Sequence, residues 1–220
     1  MYKVLLALHI AGGFAALVTA AVALATSKGG RGHVYAGRVF GVGMLVVFVT
    51  ALPMTFLKPN LFLLLIALFS FYLVLTGWLR ARNRRGTPGP ADWLASILMV
   101  VTAVGMVGRA VVLMRGGDSM GIVLLVFGGI GGALAVTDLV ALRSQRYRGA
   151  ERIAAHLTRM LAGTIAAVTA FSVVNVKIQP AFVVWLAPTV VIAPVIVYWS
   201  ARVRRPAGSR PAPPRATTSA

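Results

Sequence analysis

The chain has 220 residues, of which 59% are hydrophobic, and a mean hydropathy of +0.87. Soluble domains use about 45–50% apolar residues, so a water-soluble globular fold is excluded. The net charge of +18 would suggest nucleic-acid binding in a soluble protein, but here the basic residues stand between apolar runs. We therefore expect no nucleic-acid partner and a lipid bilayer with anionic headgroups as the counter-charge.

Seven apolar runs follow in chain order, each of roughly the twenty residues that cross about 30 Å of hydrocarbon. They cover residues 4–25, 39–57, 61–79, 93–114, 120–142, 157–176 and 181–200. The pattern predicts an all-α fold, a polytopic bundle of seven transmembrane helices that forms one domain over residues 1–200. Residues 201–220, rich in Pro, Ala, Ser and Arg, are predicted to be a disordered basic tail.

The connections between the runs alternate in charge. With the fifth connection taken as residues 143–159, the first, third and fifth connections and the C-terminal segment hold 17 of the 22 Lys and Arg residues. The other side holds Lys3, Lys58, Arg115 and Lys177. The positive-inside rule thus predicts the N-terminus outside and the C-terminus in the cytoplasm, in the bacterial inner (plasma) membrane.

Two further patterns concern helix packing. Gly128 and Gly132 form a small-xxx-small face, which lets backbones approach closely in lipid. Packing within the chain is the favoured interpretation, and a homo-oligomer through this face is the alternative. Short matches, such as residues 49–51 with 168–170, also suggest that helices one to three overlay helices five to seven, a parallel 3+1+3 repeat.

Polar residues inside the spans are candidates for function because they are costly in hydrocarbon. At a rise of about 1.5 Å per residue, His9 and Arg109 fall in an outer polar layer. His33, Asp138 and His156 fall in a layer on the cytoplasmic side. His9 and His33 are separated by most of a helix, so a three-histidine zinc site is not expected and no metal site is predicted.

The cytoplasmic-side layer admits several interpretations. His33 and His156 could ligate a haem iron from two helices while Asp138 orients one ring. The alternatives are interfacial residues bonded to headgroups, loop carbonyls or Asp138, and proton or substrate handling. For His9 and Arg109, snorkelling toward the outer headgroups is favoured, and a site for an anionic substrate is the alternative.

Three classes of function follow from these residues. The first is an integral membrane protein with a role in small-solute transport or as an accessory subunit, which predicts a cavity near the midplane lined by Thr50, Pro53, Thr55 and Thr169. The second is a haem-binding electron-transfer protein. The third is a membrane-embedded hydrolase using acids such as Asp92, Asp138 and Glu151. It is the weakest, because no nucleophile stands at recognisable spacing from a base and Cys is absent.

Four segments carry a family resemblance. They are SKGGRGHVYAGRVF (residues 27–40), FSFYLVLTGWLRAR (69–82), HLTRMLAGTIAAVTAFSVVN (156–175) and WLAPTVVIAPVIVYW (185–199). Together they resemble a family of uncharacterised bacterial multi-spanning membrane proteins, a domain-of-unknown-function family. The resemblance implies a shared architecture and no activity, and it marks His9, His33, Gly37, Arg38, His156, Met160, Thr169, Ala170, Phe171 and Asn175.

Overall fold

The computed structural model describes residues 1–205, and all the regular structure in that range is helical. The helices are α1 (Tyr2–Ala25), α2 (Arg31–Leu57), α3 (Leu61–Arg82), α4 (Pro90–Arg115), α5 (Met120–Arg143), α6 (Gly149–Asn175) and α7 (Phe182–Arg204). All seven are long and apolar enough to cross a membrane, so the prediction of seven apolar helices is confirmed. Residues 201–204 of the predicted tail extend α7, and residues 206–220 lie outside the described range.

Two helices begin well before their apolar runs. α2 starts at Arg31 and α6 at Gly149, whereas the apolar runs start at residues 39 and 157. The additional turns contain Ala, Arg and Glu, which favour helix, and long Arg side chains can leave the apolar layer. His33 is therefore the third residue of its helix, and His156 lies about 10 Å inside α6.

α3 is the central helix of the bundle. It contacts α2, α4, α5 and α6, while α1 packs on α2, α4 on α5, and α6 on α7. The main core lies between α3, α4 and α5, where Leu73, Met99, Met106 and Leu124 are almost completely buried. The outward faces of the helices are rich in exposed Val and Leu side chains, as expected of a bundle surrounded by lipid.

The glycines of α5 are used for packing inside the chain. A Cβ added at Gly128 would lie 3.0 Å from the Cβ of Met106, and one added at Gly132 would lie 3.3 Å from the Cβ of Ala103. Both contacts are with α4. The small-xxx-small face is therefore covered by α4, which favours the packing interpretation over a homo-oligomer through these two glycines.

The two halves of the bundle do not pack alike. α1 and α2 are in extensive contact, but α5 and α6, their equivalents in a 3+1+3 repeat, have no backbone contact among the described residues. This difference in packing gives the proposed repeat no support.

The bundle has two chemically different ends. At the end that we call the basic end, His33 of α2 meets the last turn of α1, Arg152 of α6 donates to the carbonyl of Arg80 at the end of α3, and Arg204 of α7 meets Glu151 of α6. At the opposite end, the Lys58 ammonium lies 4.4 Å from the ring centroid of Tyr2. The basic connections are thus gathered at one end.

Candidate functional site

A cavity of about 550 Å³ lies at the basic end, between the start of α2, residues 156–160 of α6 and the last turns of α3. We call it the basic-end cavity. Its walls include His33, Gly37 and Arg38 of α2, Trp78 of α3, and His156 and Met160 of α6. The structure therefore brings the two predicted histidines to one cavity.

The cavity exists because α2 and α6 are held apart. Each packs on α3, but their backbones do not contact each other within residues 1–205. Further into the bundle the gap is filled by Phe40, whose ring tip would lie 3.6 Å from a Cβ added at Gly163. Directly packed helices have axes about 8–10 Å apart, so the separation leaves room for a ligand above Phe40.

Two glycines of α2 shape the wall facing α3. A Cβ added at Gly41 would lie 2.5 Å from the ring of Trp78, so the indole lies directly against the α2 backbone. At Gly37, one turn nearer the basic end, a Cβ would meet nothing within 4 Å. The first glycine is required by close packing, and the second leaves open space in the cavity.

Both histidines are fixed by the main chain. Nδ1 of His33 lies 3.0 Å from the carbonyl oxygen of Ala23, and Nδ1 of His156 lies 2.9 Å from that of Gly77. A carbonyl oxygen can only accept, so Nδ1 must carry the proton in each ring, a tautomer assigned from this partner. In the neutral ring Nε2 keeps its lone pair, and no hydrogen bond to either Nε2 is found in the described part of the chain.

The acidic side chains at the basic end all lie close to arginines. The chain has four acidic residues, all of them described. The three at the basic end lie close to an arginine: Asp138 to Arg159 at 2.8 Å, Asp92 to Arg80 at 3.1 Å, and Glu151 to Arg204 at 3.1 Å. The acids considered for a hydrolase are therefore all engaged in ion pairs.

Three arginines line the cavity, namely Arg38, Arg82 and Arg84. None of them has a carboxylate within 4.0 Å in residues 1–205, and the fourth acid, Asp118, lies at the opposite end. These three exposed side chains are therefore available to an anionic ligand as far as residues 1–205 are concerned.

Asp138 belongs to a separate group that we call the buried ion cluster. Its Oδ2 accepts from the Tyr72 hydroxyl at 2.5 Å, and its Oδ1 accepts from the Tyr147 hydroxyl and from Arg159. The expectation that Asp138 orients a histidine is corrected by these contacts, which occupy both carboxylate oxygens. Arg159 also donates to the Leu134 carbonyl at 3.1 Å.

The buried ion cluster extends to a second ion pair, Arg80 with Asp92. Nη2 of Arg80 and Oδ1 of Asp92 meet at 3.1 Å without hydrogen-bond alignment, and the Arg80 guanidinium stacks 4.0 Å from the ring centroid of Tyr147. Burial and the nearby Asp138 raise the pKa of Tyr147, so the phenol stays neutral and donates at physiological pH. Two acids and two arginines leave the cluster with no net charge.

The outer polar layer does not form one site. Thr50 donates its hydroxyl to the carbonyl of Val46 at 2.7 Å, so its oxygen accepts from Nδ1 of His9 at 3.0 Å. His9 is thus hydrogen-bonded to α2. Arg109 lines another cavity on α4, and α1 and α4 are not in contact within the described residues.

The residues expected to line a transport cavity lie elsewhere. Thr55 donates to the Leu52 carbonyl at 2.8 Å, and Thr169 is buried with a hydroxyl that has no partner in residues 1–205. Neither these two residues nor Thr50 and Pro53 line the basic-end cavity or the cavity of Arg109. Among the polar residues predicted for function, His33 and His156 are the two that share the basic-end cavity.

Sequence reasoning missed most of the buried ion cluster. Arg159 was counted with the charges of the fifth connection, although it is buried within α6. A signal was present in α3, where Tyr72, Thr76 and Arg80 follow one another at intervals of four residues and so form a polar stripe on one helix face.

No protein-family model matches the chain, and neither a curated protein nor a solved structure matches it. Function is therefore inferred from the residues that line the basic-end cavity and from their charges.

Proposed function

We propose that this protein binds haem in the basic-end cavity, between His33 and His156, and serves in electron transfer in the membrane. The proposal depends on one observation above all. Two imidazoles from different helices share a cavity, and in each the Nδ1 hydrogen is held by a main-chain carbonyl. Histidines that bind metals are oriented in this way, with the other nitrogen free for the metal.

The remaining lining residues suit the same cofactor. A volume of about 550 Å³ lies within the roughly 300–1,000 Å³ of cofactor and ligand sites. Haem carries two carboxylates, and the cavity offers Arg38, Arg82 and Arg84, which have no acid partner in the described chain. Trp78 and Met160 supply apolar wall, and Gly37 leaves open space for a flat ring.

Each residue would have a distinct task in such a site. His33 and His156 would hold the iron, because their Nδ1 bonds fix the ring orientation and raise the basicity of Nε2. The arginines neutralise the carboxylates. A bound haem would supply one-electron redox chemistry, and for this reason electron transfer is the role that we propose.

Absorbance spectroscopy tests the haem proposal. Protein purified from haem-supplemented cells, or titrated with hemin in detergent, should show a Soret band with about one haem per chain, as expected for one pair of ligands. His33→Ala and His156→Ala should lose the band. His9→Ala is the matched control, because His9 lies at the other end of α1, and it should keep the band. A wild-type protein that gives no Soret shift with hemin would overturn the proposal.

A second candidate is binding of an anionic solute in the same cavity, as in transport or an accessory role. The surplus of arginines favours it independently of the histidines. Iron-free protoporphyrin separates the two candidates, since it carries the same carboxylates without the metal. Equal affinity for hemin and protoporphyrin, unchanged by His156→Ala, would favour the anion site. A strong preference for hemin that depends on both histidines would favour haem.

The family resemblance also supports a site at the basic end. Five of the residues that the resemblance marks, His33, Gly37, Arg38, His156 and Met160, line the basic-end cavity. We propose on this ground that the chain belongs with those multi-spanning proteins and that the cavity is the feature they share.

We propose further that the seven helices cross the bacterial inner membrane with the N-terminus outside and the basic end in the cytoplasm. The excess of Lys and Arg residues at the basic end, which remains when the buried Arg159 is left out of the count, supports this orientation. Fusions of a cytoplasm-active reporter to each chain end test it. Activity should be found at the C-terminus alone, and activity at both ends would contradict an odd number of spans.

A further inference from the structure

The opposite end of the bundle contains a second cavity, of about 410 Å³. It lies between the first turns of α3 and α5, the last turns of α4, and α7. Its walls include Phe62, Arg109, Leu113, Asp118, Met120 and Trp185. Phe62 and Trp185 meet edge to face at 5.0 Å between ring centroids, so one side of the cavity is aromatic. This is the opposite-end cavity.

Arg109 brings an unsatisfied charge to this cavity. It lies about 9 Å before the end of α4 at Arg115, and its Nε is buried without a hydrogen-bond partner in residues 1–205. A guanidinium remains charged at every physiological pH. Arg109 is half-buried, and its two terminal nitrogens are not among the buried atoms without a partner, so its charge is accessible to an anionic group in the cavity.

Asp118 brings the opposite charge to the same cavity. Its Oδ1 accepts from the backbone N–H of Met120 at 2.9 Å, which fixes the exposed carboxylate in the loop before α5. Asp118 and Arg109 do not form an ion pair within 4.0 Å. The opposite-end cavity is thus lined by one positive and one negative group that do not pair with each other.

We infer that the opposite-end cavity binds a zwitterion, a phosphate or carboxylate that pairs with Arg109 joined by a short linker to a primary ammonium that pairs with Asp118. A simple anion would be repelled by Asp118, and a simple cation by Arg109. The apolar and aromatic wall formed by Phe62, Leu113 and Trp185 suits an attached hydrocarbon. Such a ligand can be the headgroup of phosphatidylethanolamine or a free small zwitterion of the same chemistry.

Lipid binding measured on the purified full chain tests this inference. The probes are dioleoyl phosphatidylethanolamine, dioleoyl phosphatidylglycerol and free phosphoethanolamine, with retention scored by native mass spectrometry and by the melting temperature. Phosphatidylethanolamine should bind about tenfold or more tightly than phosphatidylglycerol, the value of one charged hydrogen bond. Competition by free phosphoethanolamine would indicate a soluble ligand, and retention of lipid in its presence would indicate the headgroup.

Two variants separate the roles of the charges. Arg109→Gln should bind neither lipid selectively, whereas Asp118→Asn should reverse the preference toward the anionic phosphatidylglycerol. Arg115→Gln is the matched control, because Arg115 is an exposed arginine at the same end that does not line the cavity. Arg115→Gln should keep the selectivity of wild type. The inference is overturned if wild type shows no preference for either ethanolamine probe, or if Asp118→Asn also keeps the selectivity of wild type.

Discussion

Two polar regions lie side by side at the basic end, and they differ in whether their charged groups are paired. In the buried ion cluster, Asp138 and Asp92 pair with Arg159 and Arg80, and two tyrosines complete the group. In the basic-end cavity, three arginines have no acid partner in the described chain, and two imidazoles keep a free Nε2. The difference separates a region that the chain completes by itself from one that it leaves for a ligand.

The two regions are mechanically connected through α3 and α6. His156 and Arg159 are one turn apart on α6, and their partners, Gly77 and Tyr72 among them, lie on α3. A Cβ added at Gly77 would lie 3.1 Å from the Cβ of Arg159, so the helices meet closely there. The balanced cluster thus holds in place the surface from which the Gly77 carbonyl orients His156.

The largest effect is expected for a substitution that removes an ion pair from the buried ion cluster. Asp138→Asn leaves Arg159 charged and buried without its counter-ion, which should lower the free energy of unfolding by about 3–5 kcal/mol, measured by thermal or SDS unfolding in detergent. Glu151→Gln is the control, because that ion pair is more than one-third exposed and should be worth about 0–1 kcal/mol. Similar losses in both variants would show that the cluster is not a structural unit.

The next effect distinguishes packing from open space in α2. Gly41→Ala drives a methyl group into Trp78 and should lower the free energy of unfolding by about 1–3 kcal/mol. Gly37→Ala meets nothing within 4 Å and should raise it by about 0.5–1 kcal/mol through helix propensity. The same Gly37→Ala methyl narrows the basic-end cavity, so hemin affinity should fall in a titration. Unchanged hemin binding would place the cofactor elsewhere.

A smaller effect concerns Tyr147. Tyr147→Phe removes one hydrogen bond to a carboxylate and should lower the free energy of unfolding by about 1.5 kcal/mol at neutral pH. Because the folded pKa of Tyr147 is raised above the usual value of about 10, the contribution of the phenol is complete below pH 10 and is lost as the pH rises above it. Unfolding measured from pH 7 to 11 should therefore show the difference from wild type shrinking above pH 10. A constant difference would contradict this role.

The smallest effect on stability is expected in the cationic region. Arg82→Gln removes a charge without a protein partner, so the free energy of unfolding should stay within about 0.5 kcal/mol of wild type. Hemin affinity should nevertheless fall about tenfold with the loss of a charged hydrogen bond. Arg143→Gln, an exposed basic-end residue outside the cavity, should change neither quantity. A destabilised Arg82→Gln protein would mean that this charge is structural.

Hydropathy predicted the seven helices well because an apolar run of the required length has few alternatives. It misplaced the starts of α2 and α6, since Arg31 and Arg152 are helical residues with polar side chains. Depth along the helices correctly grouped His33 and His156 in one layer. Depth alone does not tell which helices are neighbours or which way a side chain faces. The rotation of α5 about its axis, which turns Asp138 toward Tyr72 and Arg159, depends on packing that depth does not contain.

The pairing of the acidic residues determines what surrounds the cavity arginines when the ligand leaves the basic-end cavity. Each acidic side chain at that end already lies close to an arginine, so within residues 1–205 none of them stands free as a counter-ion for the cavity. In the empty cavity the three exposed guanidinium groups face water and attract small anions dissolved in it. The fraction of basic-end cavities that hold the ligand should therefore depend on the ligand concentration and on the salt in solution. Phosphate and sulfate buffers should compete with the ligand during purification.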